Sequence, residues 1–257
     1  MNPYGKILIS ALLTLVSVFS WGQSSKIYTK KARMEDFPVR TTKVVLSGQS
    51  LLDITLKDEI SARWSASPFE FCTIAQYENL KDDNSYYFLR LVREDGVAFL
   101  SLSKGGKENE TDNFKKPFEV VRIAIAPDGS TAGREFAFMG AFVDIVQKFA
   151  EDAMRTDMIG LAGLAHYNKV SLNGREISFN ENIGNKLMTE GDSDALVALV
   201  IAPLDISFTS RCYKMLISAD THELYYYRRN KYTGPKDKAF TEQEYKRFAK
   251  RNGKLAR

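Results

Sequence analysis

One succession of elements appears twice in this chain, and it restricts the fold more than any single residue does. A short strand, a short helix, an acidic turn and an apolar strand occupy residues 70–92 and again 176–202. At an offset of 108, Phe71 falls on Phe179, Leu80 on Met188 and Ser85 on Ser193. Phe88, Leu89, Leu91 and Val92 then fall on Leu196, Val197, Leu199 and Val200. The spacing predicts an α/β protein of two related β-α-β-α-β-β lobes, a possible internal duplication, with a C-terminal hairpin and helix. About thirty extra residues precede the second occurrence.

Local signals place the elements. Lys43–Ser47 is a β-branched run, and Ser50 with Asp53 resembles a capping box for a helix carrying Leu56, Ile60 and Trp64 inward. Strands are predicted at 70–73, 86–92 and 97–102, with a short helix at 74–81. Residues 103–117 are polar and charged, a loop tip or a linker between lobes. The second lobe opens with a strand at 118–126. Its long helix at 138–154 lines Phe142, Ile145, Val146, Phe149, Ala150 and Ala153 along one face. Residues 159–168 read as a small-residue helix or loop. A strand at 176–179, a helix at 182–188 and a buried strand at 194–202 follow. A hairpin turns at Ala219–His222, and Thr241 with Glu244 caps a final helix ending near Arg251. The expected boundaries are therefore 43–103 for the first lobe, 104–117 for the polar segment and 118–257 for the second lobe.

Ahead of these lies a leader. Ile7–Phe19 is an apolar run of 13 residues behind Lys6, too short to span a bilayer, which takes about 20. Ser20 and Gly22 put small side chains at −3 and −1 of a cut before Gln23. Residues 1–22 are read as a signal peptide and 23–42 as an extended lead-in. The expected location is periplasmic or secreted, with no transmembrane segment after cleavage. In that compartment Cys72 and Cys212 either pair or remain separate buried thiols.

The order β-α-β-α-β-β, with a first strand ending near Gly48 and a later one opening on Asp192–Asp194, resembles small α/β domains of bacterial envelope proteins. Examples are the N-terminal domain of the translocation protein TolB and the curli-secretion protein CsgG. The resemblance implies partner docking or assembly rather than chemistry, and it transfers no site residue. The chain as a whole also looks like uncharacterised exported proteins of Bacteroidetes.

No motif fixes a reaction. The two histidines, His166 and His222, lack a nearby second ligand in sequence, so no metal site is read. There is no G-x-S-x-G elbow, no Walker A sequence and no G-x-G-x-x-G, and no cofactor is expected. Asp82-Asp83 and Asp192/Asp194 sit where turn chemistry accounts for them.

Charge is the remaining signal. Residues 228–257 hold eleven basic and three acidic side chains, a net of +8 on a chain of net +4. Loss of Lys6 with the leader leaves +3, so the body before residue 228 carries −5. A basic end on an acidic body predicts contact with envelope proteins or an anionic surface, and nucleic acid is not expected outside the cytoplasm. The candidate contact residues are Tyr225, Tyr227, Arg228 and Arg229 on the hairpin, and Lys246, Arg247, Lys250 and Arg251 on the last helix. Alternation along the strand predicts Tyr225 and Tyr227 on one face and Tyr226 on the other. The sequence therefore points to an exported binding or assembly module, with an envelope hydrolase as the alternative.

Overall fold

A computed structural model of the chain describes residues 31–255, apart from 47, 49, 114, 131, 132 and 192. The leader, the first part of the lead-in and Asp192 lie outside the described residues.

The chain forms two five-stranded mixed sheets with helices against them. The first contains β1 (Thr42–Leu46), β2 (Phe69–Thr73), β3 (Tyr87–Glu94), β4 (Val97–Lys104) and β5 (Phe118–Pro127). Its spatial order is β2-β1-β3-β4-β5. Helix α1 (Ser50–Arg63) follows β1 and α2 (Ile74–Leu80) follows β2. The second sheet contains β6 (Glu176–Ser178), β7 (Leu196–Ile201), β8 (Arg211–Ser218), β9 (Leu224–Lys231) and β10 (Lys254–Leu255), ordered β10-β6-β7-β8-β9. Helices α3 (Arg134–Ala153) and α4 (Asp157–Ala162) lie between the two sheets in sequence. Helix α5 (Glu181–Glu190) follows β6, and α6 (Glu242–Lys250) follows β9.

Both sheets run parallel, parallel, antiparallel, antiparallel across their order. The two-lobe expectation therefore holds at the level of the sheets, but the chain builds them differently. In the first sheet β1 lies between β2 and β3. In the second, β6 lies directly beside β7, and the outer parallel strand is supplied last, by β10. The strand matched at offset 108 thus occupies an edge in one sheet and an inner place in the other.

Two boundaries move. The polar segment after Lys104 joins neighbouring strands, because β5 pairs antiparallel with β4 and closes the first sheet. It is a loop within that sheet, and the second sheet begins only at β6. The lead-in also folds: Lys31–Arg33 and Phe37–Val39 are 3-10 turns, with Met34 and Phe37 fully buried. Phe37 meets the Tyr87 ring edge-on at 4.8 Å, and Asp36 binds the Tyr87 hydroxyl and the buried Lys104 ammonium, each at 2.8 Å. A buried ammonium bonded to a half-buried carboxylate holds this segment against the sheet.

One helix carries the packing. Twelve of the twenty residues of α3 are buried, too many for a single apolar stripe, so more than one face is covered. Its Phe138, Phe142, Val146 and Phe149 share one core with Leu56 and Ile60 of α1 and with Leu100 and Ile123 of the first sheet. Val197, Leu199, Met215 and Ile217 of the second sheet join the same core. The opposite faces have smaller cores: Val45, Cys72 and Phe88 under α2, and Leu196, Leu216 and Tyr226 under Phe248 of α6. Cys72 and Cys212 are free, buried thiols in different sheets. Burial pushes the Cys212 thiol up to about 11.

Helix α6 is fixed by a buried acid. Glu244 closes the capping box at Thr241, accepts the Tyr226 hydroxyl at 2.8 Å and pairs with Lys214 at 3.2 Å, both charged side chains being 1 % exposed. Burial by itself would raise the Glu244 carboxyl. The Thr241 amide, the Tyr226 and Thr241 hydroxyls and the Lys214 charge together outweigh it and hold the group below the ordinary glutamate value. A depressed carboxyl pKa stabilises the fold above the ordinary value, and the contribution disappears as pH falls through the folded value. Glu244→Gln, which leaves Lys214 buried without its counter-charge, is expected to cost about 3–5 kcal/mol in urea unfolding at neutral pH. The gap to wild type should narrow when the same titration is repeated below the ordinary glutamate pKa. An equal gap at both pH values would remove the ion pair from the account.

Candidate functional site

The structure divides the eight predicted contact residues into three groups. Tyr227, Arg228, Arg229 and Arg247 line one groove of about 480 Å³. Lys246 and Lys250 are exposed on α6 and do not line it. Tyr225 and Arg251 are occupied elsewhere.

The groove lies where the two sheets meet. Phe99 of β4 contacts Tyr213 of β8 edge-on at 5.4 Å, bridging first sheet to second. Val121 and Arg122 of β5, Phe149 of α3 and Leu164 of the 3-10 turn Gly163–Lys169 complete the walls. Gly163, at φ +59°, ends α4 in a conformation that side-chain-bearing residues rarely adopt and turns the chain along this wall. From that turn Asn168 reaches the free edge of β9. Its amide donates to the Tyr227 carbonyl at 2.9 Å and accepts the Tyr227 N–H at 2.7 Å, covering the strand edge beside the groove.

The arginines differ in how far they are committed. Arg122 lies 4.9 Å from the Phe99 ring centroid and pairs with Glu94 and Glu119. Arg228 approaches Glu244 at 3.6 Å. Among the described residues, the guanidinium groups of Arg229 and Arg247 have no hydrogen-bond or ion-pair partner, and both residues are exposed. Arg229 sits opposite Tyr213 across the β8–β9 ladder. Burial pushes the Tyr213 phenol up, while the nearby Arg229 and Arg122 charges pull it back down. The same two arginines oppose the effect of burial at Tyr227.

Tyr225 departs from the predicted alternation. The β8–β9 register shifts between Leu216, opposite Tyr226, and Ile217, opposite Leu224, so Tyr225 is the extra residue of a bulge. It therefore packs with Tyr226 in the core under α6, while Tyr227 packs against the shared core. Its hydroxyl donates to Glu223 at 2.9 Å and its ring lies 5.3 Å from the Arg175 guanidinium. Arg251 is likewise structural. It donates to the carbonyls of Val170, Tyr167 and Tyr225, tying the end of α6 to the 3-10 turn and to β9.

A second cavity, of about 490 Å³, holds what the sequence separated. Both histidines line it, together with Asp144, Glu151, Asp152 and Glu223. His222, at φ +59° in the β8–β9 turn, places Nδ1 2.7 Å from Oδ2 of Asp144 on α3. Arg63 donates to the same carboxylate oxygen at 3.1 Å and is itself paired with Glu59 at 2.6 Å. No ligand lies near His222 in sequence; the fold brings it a carboxylate partner from 78 positions away. Among the described residues, no group of three or more His, Cys, Asp or Glu is placed to hold a metal ion. Asp83 accepts the Ser85 N–H at 2.8 Å, the turn bond expected there.

Sequence reasoning missed Arg122, Tyr213 and Asn168. Arg122 and Tyr213 belong to different sheets, and nothing local in the sequence says that those sheets share a helix. No protein-family model matches this chain, and neither a curated protein nor a solved structure matches it. Among the described residues no helix is long and apolar enough to cross a membrane.

The division of roles is measurable. Arg251→Ala removes charge-assisted bonds to three carbonyls and is expected to lower unfolding free energy by about 2–3 kcal/mol. Lys246→Ala, which breaks an exposed pair with Glu242, should change it by less than about 0.5 kcal/mol. Equal effects in chemical denaturation would contradict the assignment of Arg251 as a clamp.

Proposed function

We propose that this protein is an exported binding or assembly module of the bacterial cell envelope, which docks an acidic segment of a partner protein in the groove between its sheets. One observation carries the reading: four predicted contact residues, Tyr227, Arg228, Arg229 and Arg247, converge on a single groove. Arg229 and Arg247 have no counter-charge among the described residues, so their positive field is open to a ligand. An aromatic and arginine-rich recess with an apolar floor is the composition that anchors partners. The leader supports the compartment, and the charge difference between the basic end and the acidic body supports an acidic partner.

Crosslinking in cells, followed by identification of the captured protein, tests this. Arg229→Glu with Arg247→Glu should abolish capture, whereas Lys246→Glu with Lys250→Glu should leave most of it. Binding to the captured protein should weaken as salt rises, because exposed charges are screened beyond about 8–10 Å at physiological ionic strength. Capture unchanged by the arginine pair would sink the docking role.

The His222–Asp144 pair favours a second reading, an envelope hydrolase using His222 as general base in the other cavity. Turnover of an ester or peptide substrate that is lost in His222→Gln would establish it.

A further inference from the structure

We propose that the floor of this groove is a binding site for a carboxylate carried on an apolar body, an inference that rests on reading the groove as the docking surface. Tyr213 is 5 % exposed and lines the cavity, yet among the described residues its hydroxyl has no hydrogen-bond partner. The ring is buried while the hydroxyl opens to the cavity, where an acceptor that enters can replace water as its partner. The Tyr227 ring stands beside it, centroids 6.4 Å apart, and its hydroxyl also lacks a partner among the described residues.

Arg229 completes the head-group site. It faces Tyr213 across the ladder and follows Tyr227 by two residues, so the three share one face of the hairpin. Of the two uncommitted guanidiniums that line the groove, Arg229 is the one on this face of the hairpin and Arg247 stands on α6; Arg229 and the two phenol donors match an anionic group with two acceptor oxygens. Arg122 is already paired with Glu94 and Glu119.

The walls define the rest of the ligand. Phe99, Val121, Phe149 and Leu164 line the same cavity, each at most 4 % exposed. Inorganic phosphate would have to shed water against these apolar walls without compensation. A hydrocarbon or aromatic body would gain by burial there. The cavity, about 480 Å³, falls within the usual size of small-ligand sites.

Titration calorimetry on the purified protein tests the class, with decanoate, decylamine and inorganic phosphate as probes. Decanoate should bind saturably, and decylamine and phosphate should not approach its affinity. Arg229→Gln should weaken decanoate by about tenfold or more and Tyr213→Phe by several-fold. Lys250→Gln should bind as wild type. Tyr213→Phe loses no hydrogen bond to a described residue, and its thermal melt should match wild type, which separates lost binding from lost fold. Equal affinity for decylamine or phosphate, absence of saturable decanoate binding, or unchanged affinity in both variants would overturn the proposal. Decanoate binding without partner capture in cells would defeat the docking reading alone.

Discussion

Helix α3 is wrapped by both sheets, and the remaining architecture depends on that packing. Phe138, Phe142, Val146 and Phe149 lie in a core to which β4, β5, β7 and β8 all contribute. The sheets together with helices α1, α4 and α5 leave α3 little exposed surface. Burying a phenylalanine or valine side chain contributes about 1.5–3 kcal/mol, so four such residues on one helix bind the two layers to a common fate. The smaller cores under α2 and α6 then finish the outer faces.

That arrangement also produces the groove. Two twisted sheets meeting over one helix do not close along their whole length. Where β4 and β8 approach, Phe99 and Tyr213 touch, and beside them the recess opens with Phe149 of α3 in its wall. The basic hairpin reaches this recess because β9 is the last strand of its sheet, with its free edge partly covered by Asn168. The charged C-terminal segment therefore divides by physical role. Arg251 and Glu244 hold α6 in place, Arg229 and Arg247 remain open at the groove, and Lys246 and Lys250 face solvent.

Much of the fold is legible in the sequence because local signals and tertiary packing agree. The strand expected at 118–126, the apolar periodicity of α3 and the Thr241/Glu244 cap each mark a real element. What stayed hidden depends on contacts distant in sequence. Polarity left 104–117 open between a linker and a loop, since both are exposed to water, and the pairing of β4 with β5 makes it a loop. Residues 23–42 read as an extended lead-in, because the burial of Met34 and Phe37 depends on contacts with residues far along the chain such as Tyr87. A one-residue bulge reversed the face of Tyr225, which strict alternation cannot show. Of the candidate site, the arginines were legible as a basic cluster. Which of them are free was not, since that is decided by carbonyls and carboxylates from other elements.

The central claim is that both sheets share one core and unfold together. Differential scanning calorimetry on the purified protein addresses it directly. A single transition is expected, with a calorimetric enthalpy about equal to the van't Hoff enthalpy. Two separable transitions, each with its own enthalpy, would show that the sheets are independent units and would contradict it.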